Sequence, residues 1–168
     1  MDKPSVYLDT TIISAYWYDG GDVASFARRL KTRDWWDLER PHFSLWSSAV
    51  SEAEFRAGVF RRQAECLSMV QRLKYLPASR LAQTIYDQLL AEDVIPEAKP
   101  RDAVQMAMCA AHQLDYLLSW NYAHLANPIA QARLEAICQK LRLRAPLLVS
   151  PETIPRVSMG ESIRRRDR

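Results

Sequence analysis

Ser5-Val6-Tyr7-Leu8-Asp9-Thr10-Thr11 reads as a short strand that stops at a carboxylate. Val6, Tyr7 and Leu8 favour extended backbone, and the run is too short for a helix. Asp9 stands where the strand ends, with two hydroxyls behind it. Open α/β sheets bind ligands outside the carboxyl ends of their strands, so an acid there is placed for chemistry. An acid there can equally cap the next helix. The stretch by itself leaves both roles open.

Outward from it, Ile12 to Tyr18 is apolar and aromatic until Asp19-Gly20-Gly21-Asp22 breaks the chain. Asp22 is expected to cap a helix to about Glu39, with Val23, Phe26, Ala27, Leu30 and Trp35 on its inner face and Pro41 ending it. His42 to Ser47 alternates as a second strand. Ser48 is expected to cap a helix through Ala57, with Gly58 closing it. A further helix to Lys74, a short strand at Tyr75-Leu76-Pro77 and a helix from Leu81 to Asp93 follow. Pro100 suits the first turn of a helix on which Ala103, Ala107, Ala110 and Leu114 share one face. Asp115 to Trp120 is the third clear strand and ends at Asn121. A helix from Ile129 to Leu141 and a strand at Pro146 to Val149 complete the pattern.

Strands separated by helices imply parallel pairing and a sheet covered on both faces. The expectation is one α/β domain over 1–155 with a small, mainly parallel central sheet, followed by a basic tail over 156–168. The chain has 168 residues, 48% apolar and 26% charged, which suits one globular domain with a full core. No apolar run approaches the roughly 18 residues of a membrane span. Met1-Asp2-Lys3-Pro4 has no signal-peptide layout, so a cytoplasmic location without membrane contact is expected. Cys66, Cys109 and Cys138 match neither zinc spacing nor a disulfide framework, and buried thiols are expected. Basic clusters at Arg28, Arg29, Lys31 and Arg33, at Arg56, Arg61 and Arg62, and at Arg164 to Arg168 can hold phosphates or simply face solvent.

A parallel sheet gathers the carboxyl ends of its strands at one edge. Asp9 follows the first strand, Glu54 lies in the helix after the second, and Asp102 opens the helix leading to the third. Asn121 directly follows that third strand. Carboxylates gathered there repel one another, and a divalent cation offsets the repulsion. Oxygen ligands without a Cys or His pattern suit Mg²⁺ or Mn²⁺. No Gly-rich phosphate loop, Ser/His/Asp order or HExxH helix competes for the role.

Five segments carry a family likeness. Val6-Tyr7-Leu8-Asp9-Thr10-Thr11-Ile12-Ile13-Ser14 resembles the opening of PIN-domain ribonucleases, VapC-type toxins above all. Ser48 to Phe55, Asp102-Ala103-Val104-Gln105-Met106-Ala107, and Asp115 to Asn127 with its Trp120-Asn121 and His124 are similar to the later motifs of that family. Leu147 to Glu152 resembles its last strand and turn. The resemblance implies a three-layer α/β/α fold and Mg²⁺- or Mn²⁺-dependent cleavage of RNA. It also implies a cognate antitoxin and a homodimer. Asp9, Glu54 and Asp102 match the metal-site acids. Asn121 stands where many members have a fourth Asp, and Gln105 stands where related chains often carry His. Asn121 can offer a neutral oxygen, whereas Gln105 cannot titrate.

Glu52 competes with Glu54, but two residues along a helix turn a side chain by about 200°, so both cannot face one site. Alignment with the motif favours Glu54. Thr10, Thr11 and His124 are candidate contacts to the metal shell or to substrate, with helix-start and loop-ordering roles as alternatives. Asp115 is expected to be structural, and Asn127 to cap the next helix. Two rival functions stand beside the nuclease. One is a catalytically weak binding module for RNA or protein, suggested by Asn121. The other is a phosphatase with an Asp nucleophile, weakened by Thr11 where a second Asp belongs.

Overall fold

The computed structural model describes residues 3–97 and 99–157. Five strands, β1 (Ser5–Leu8), β2 (Ser44–Ser47), β3 (Lys74–Tyr75), β4 (Tyr116–Leu118) and β5 (Leu147–Val149), form one sheet in the order β3-β2-β1-β4-β5. Every pairing is parallel. The helices are α1 (Thr10–Trp17), α2 (Val23–Leu38), α3 (Ala49–Ala57), α4 (Gln63–Val70), α5 (Arg80–Ala91), α6 (Pro100–Ala111) and α7 (Pro128–Lys140). The three-layer α/β/α architecture expected of a PIN-like chain is the one observed, and its sheet is wholly parallel.

Strand periodicity divides the core. Tyr7 and Leu117, register partners, pack on the side of α5, α6 and α7, while Val6, Leu8 and Leu118 pack on the side of Trp35 and Ile12. Successive side chains point to opposite faces, so a buried central strand must be apolar at every position. Ala103, Ala107 and Ala110 are buried as expected and let α6 lie close to α5. The chain winds outward from β1 through β2 to β3, then returns across β1 to β4. The direction therefore reverses between β1 and β4, and ligand crevices form at such a reversal, beyond the strand ends.

The inner face expected for α2 is corrected. Val23, Phe26 and Leu30 are 82%, 45% and 54% exposed and Ala27 is also exposed; Thr32 and Trp35 are the buried residues. The apolar period of the first half does not continue, because Arg33, Asp34 and Asp37 follow it. Only the second half of α2 is covered by the core, where Trp35 meets Phe43 at a ring distance of 5.8 Å. Its neighbour Trp36 points elsewhere and is only partly buried. Arg156 pairs with Asp34 at 2.7 Å, and the Val157 N–H donates to Glu39 at 2.8 Å. Residues 158–168, which hold the basic cluster ending at Arg168, lie outside the described residues.

Cys66, Cys109 and Cys138 are free and buried. Among the described residues no helix is long and apolar enough to cross a membrane.

Candidate metal and nucleic-acid site

Asp9 sits at the reversal point. Its N–H donates to the Leu118 carbonyl at 3.1 Å, continuing the β1–β4 ladder by one residue. Its side chain is 2% exposed. The Thr11 and Ser119 hydroxyls donate to Oδ2 at 2.5 and 2.6 Å, and the Thr10 hydroxyl reaches Oδ1 at 3.3 Å. Thr11 Oγ1 in turn accepts the Trp120 N–H at 3.0 Å, and Ser119 Oγ accepts the Asn121 N–H at 2.9 Å. Two backbone donors of the loop after β4 thus act through hydroxyls on one carboxylate oxygen. Charge-assisted bonds of this kind are stronger than neutral ones and hold the carboxylate in one orientation. Asp9 does occupy the N-cap position of α1, yet it makes no side-chain capping bond. Its carboxylate bonds to hydroxyls at the strand ends and does not cap the helix.

Glu54 comes from α3. Ser48 is the N-cap of that helix but gives it no side-chain bond, because its hydroxyl meets the Tyr7 phenol at 2.7 Å. Ser51 reaches the same phenol at 3.1 Å. These buried contacts tie α3 to the central strand. Glu52 and Glu54 diverge as the helical turn requires. Glu52 is held by Gln71, Arg56 and Tyr75, whose hydrogen bonds pull its carboxyl down to about 2. Glu54 faces the other way and is partly exposed, 3.7 Å from Arg101.

Asp102 lies in the first turn of α6, behind Pro100. Asn121 Nδ2 donates to its Oδ2 at 2.9 Å, and Asn121 Oδ1 accepts the His124 N–H at 3.1 Å. An amide donor faces the carboxylate and the amide oxygen faces a backbone donor, so both neighbours demand the same orientation. In this structure the amide nitrogen of Asn121, and not its oxygen, faces Asp102 and orients its carboxylate. His124 shapes this loop through its N–H, and its ring favours ionisation of Asp102. Asn127 caps α7 through a bond from the Ala130 N–H at 2.9 Å.

The three acids sense one another. Burial, and then the charge of Asp9, raise the pKa of Glu54 and of Asp102. Arg101 and the Thr10 hydroxyl partly offset this at Glu54; Asn121, His124 and Lys99 do so at Asp102. The donor set is all oxygen, and its excess negative charge suits a hard divalent cation. Among the described residues, however, no group of three or more His, Cys, Asp or Glu side chains stands in an arrangement that would hold an ion as it is. Chemistry and charge fit Mg²⁺ or Mn²⁺, while the carboxylates are not drawn into a closed cage.

A raised carboxylate pKa costs stability at neutral pH. Above the ordinary value, 4.5 for Glu, the folded chain retains protons that the unfolded chain has released, so stability falls as pH rises through the window up to the raised value. Glu54→Gln removes that cost. It is expected to raise Tm by a few degrees at pH 7, a gain that shrinks toward zero near pH 4, as read by thermal melts in EDTA. A variant less stable than wild type at pH 7 would contradict this electrostatic account.

Sequence reasoning missed Ser119 and Arg101, and named Arg28 only as one of a basic cluster. Ser119 ends β4 beside Asp9, a place readable once β1 and β4 are paired. Arg101 adjoins Asp102 in sequence but reaches Glu54. Arg28 lies against the Trp120 ring, 5.7 Å from its centroid. In the second basic cluster, Arg56 pairs with Glu52, and Arg61 and Arg62 with Asp19. A cavity of about 830 Å³ lies elsewhere: Lys3, Ser44 and Lys74 place it toward the amino ends of the strands, with Tyr16, Trp17 and Trp36 in its wall. No family model matches this chain, and no curated protein matches it.

Proposed function

We propose that this chain is a metal-dependent endoribonuclease of the PIN-domain, VapC-like type. The observation that carries the reading is the Asp9 carboxylate held at the sheet's reversal point, with Glu54 and Asp102 near enough to feel its charge. These three side chains would hold Mg²⁺ or Mn²⁺. Such an ion supplies Lewis-acid and charge-compensating chemistry for phosphodiester hydrolysis. The chain's own residues orient the site. Thr11 and Ser119 fix the Asp9 carboxylate, and Asn121 fixes that of Asp102. Arg101 and Arg28 flank Glu54 and offer positive charge to a phosphate backbone. A toxin role, a cognate antitoxin and a homodimer rest on the sequence resemblance alone and belong to the same proposal, as does a cytoplasmic location.

The test is purified protein incubated with single-stranded RNA, in Mn²⁺ and in EDTA, beside Glu54→Gln. Cleavage is expected in Mn²⁺ only and is lost in the variant. Cleavage that survives both EDTA and Glu54→Gln would sink the assignment. One observation favours the rival binding module: the Asn121 amide nitrogen already occupies one Asp102 oxygen, leaving one acceptor fewer for an ion. Calorimetric titration with Mn²⁺ separates the two, because the module predicts no saturable heat.

A further inference from the structure

Two small clefts lie on either side of one ridge. Thr10, Ser14 and Glu54 line both. The first cleft, about 370 Å³, adds Phe55, Gly58, Phe60 and Arg101. The second, about 300 Å³, adds Tyr18, Arg28 and Trp120. Both fall at the low end of the roughly 300–1,000 Å³ typical of small-ligand sites, so each has room for a nucleotide-sized unit and not for a duplex.

Phe60 is 40% exposed although it is firmly seated. A Cβ on Gly58 would come within 2.9 Å of its ring, so the ring lies directly over that glycine. Phe55 supports it from beside at a ring distance of 6.1 Å. An apolar ring held in place and left partly open suits stacking by a flat partner. Across the ridge Arg28 has no ion pair among the described residues. Its guanidinium rests by the nearly buried Trp120 ring, which restrains a cation that faces solvent.

We infer that a single nucleic-acid strand crosses the Thr10–Ser14–Glu54 ridge, with one base stacked on Phe60 in the first cleft and the backbone phosphate on the other side held by Arg28. The inference deepens the nuclease reading and rests on it only for taking the ridge as the line of cleavage. Phe60 and Arg28 are positioning residues. They select single-stranded over paired substrate, because a duplex cannot deliver an unstacked base to Phe60.

The experiment is fluorescence anisotropy of a labelled eight-nucleotide single-stranded RNA against the full chain in EDTA, where binding is read without cutting. Phe60→Ala is expected to weaken binding about five- to a hundredfold. Gly58→Ala, whose backbone φ of −84° accepts alanine, is expected to do likewise by displacing the ring. Arg28→Ala is expected to weaken binding and to reduce the salt slope by about 0.7, one phosphate contact on a single strand. Arg72→Ala removes the same charge beside the large cavity and is expected to change neither. Affinity unchanged in Phe60→Ala and Arg28→Ala, an equal loss in Arg72→Ala, or equal affinity for a duplex would each overturn the inference. RNA bound in this way but never cut in Mn²⁺ sinks the nuclease and leaves the strand path standing. Mn²⁺-dependent cutting with affinity unchanged in both variants does the reverse.

Discussion

Asp9→Asn is expected to lower Mn²⁺-dependent RNA cleavage by about a hundredfold or more while the chain still folds. Loss of a partner that merely orients a metal ligand costs about 10–100-fold, and Asp9 is assigned as a ligand itself. The amide is confined by its surroundings. Thr11 Oγ1 and Ser119 Oγ each accept a backbone N–H and donate onward to Oδ2, so the asparagine oxygen must take that place. Its NH₂ then replaces Oδ1, the oxygen beside Thr10. One negative charge and one acceptor leave the site together. Stability changes little, because two effects oppose. Exchanging charge-assisted bonds for neutral ones costs on the order of 1–2 kcal/mol. Against this, Glu54 and Asp102 lose the charge that raises their pKa values. Carboxyl NMR titration should find both values moved down toward the ordinary range. Cleavage within twofold of wild type, or pKa values that stay where they were, would remove Asp9 from the centre of the site.

Asn121→Asp is expected to destabilise the metal-free protein by about 1–3 kcal/mol at pH 7 and to bind Mn²⁺ more tightly than wild type. The substitution keeps an acceptor for the His124 N–H and loses the donor to Asp102. Two carboxylate oxygens then face each other at the present 2.9 Å. Unit charges 4 Å apart at an effective dielectric near 20 repel by about 4 kcal/mol, and uptake of a proton by the pair keeps the actual cost below that. The sign with pH follows from proton counting. The folded pair retains a proton above the ordinary Asp value of 3.8, where the unfolded chain does not, so stability is lost as pH rises. The deficit against wild type should be small at pH 4, full at pH 7 and largely recovered on adding Mn²⁺. Urea unfolding at several pH values, with and without the ion, measures all three. A deficit independent of pH would mean that the lost hydrogen bond, and not charge, governs this position.

Much of the frame was legible because it rests on local rules. Asp22 caps α2 through a bond from the Ser25 N–H, as its place before the helix suggests. The alanine face of α6 and the fully apolar central strands announce burial. A helix turns about 100° per residue, so Glu52 and Glu54 could not share one site, and the motif resemblance favoured Glu54. The inner face of α2 was misread for a physical reason: an apolar period marks a face that could be buried and does not say what covers it. Val23, Phe26 and Leu30 form such a face, and the described part of the chain leaves it open.

The sequence by itself determined where each strand stops and therefore which acids stand at strand ends and helix starts. Those are matters of backbone propensity and period, set within a few residues. Only the tertiary structure decided what those acids meet. Strand order placed β4 beside β1, which put the Ser119 hydroxyl on Asp9. The turn after β4 aimed the nitrogen of Asn121, not its oxygen, at Asp102. The packing of α3 against Tyr7 carried Glu54 to the same edge, with Phe60 and Arg28 in the clefts on either side of its ridge. Contacts between residues distant in the chain depend on how the layers stack, and no local period encodes that.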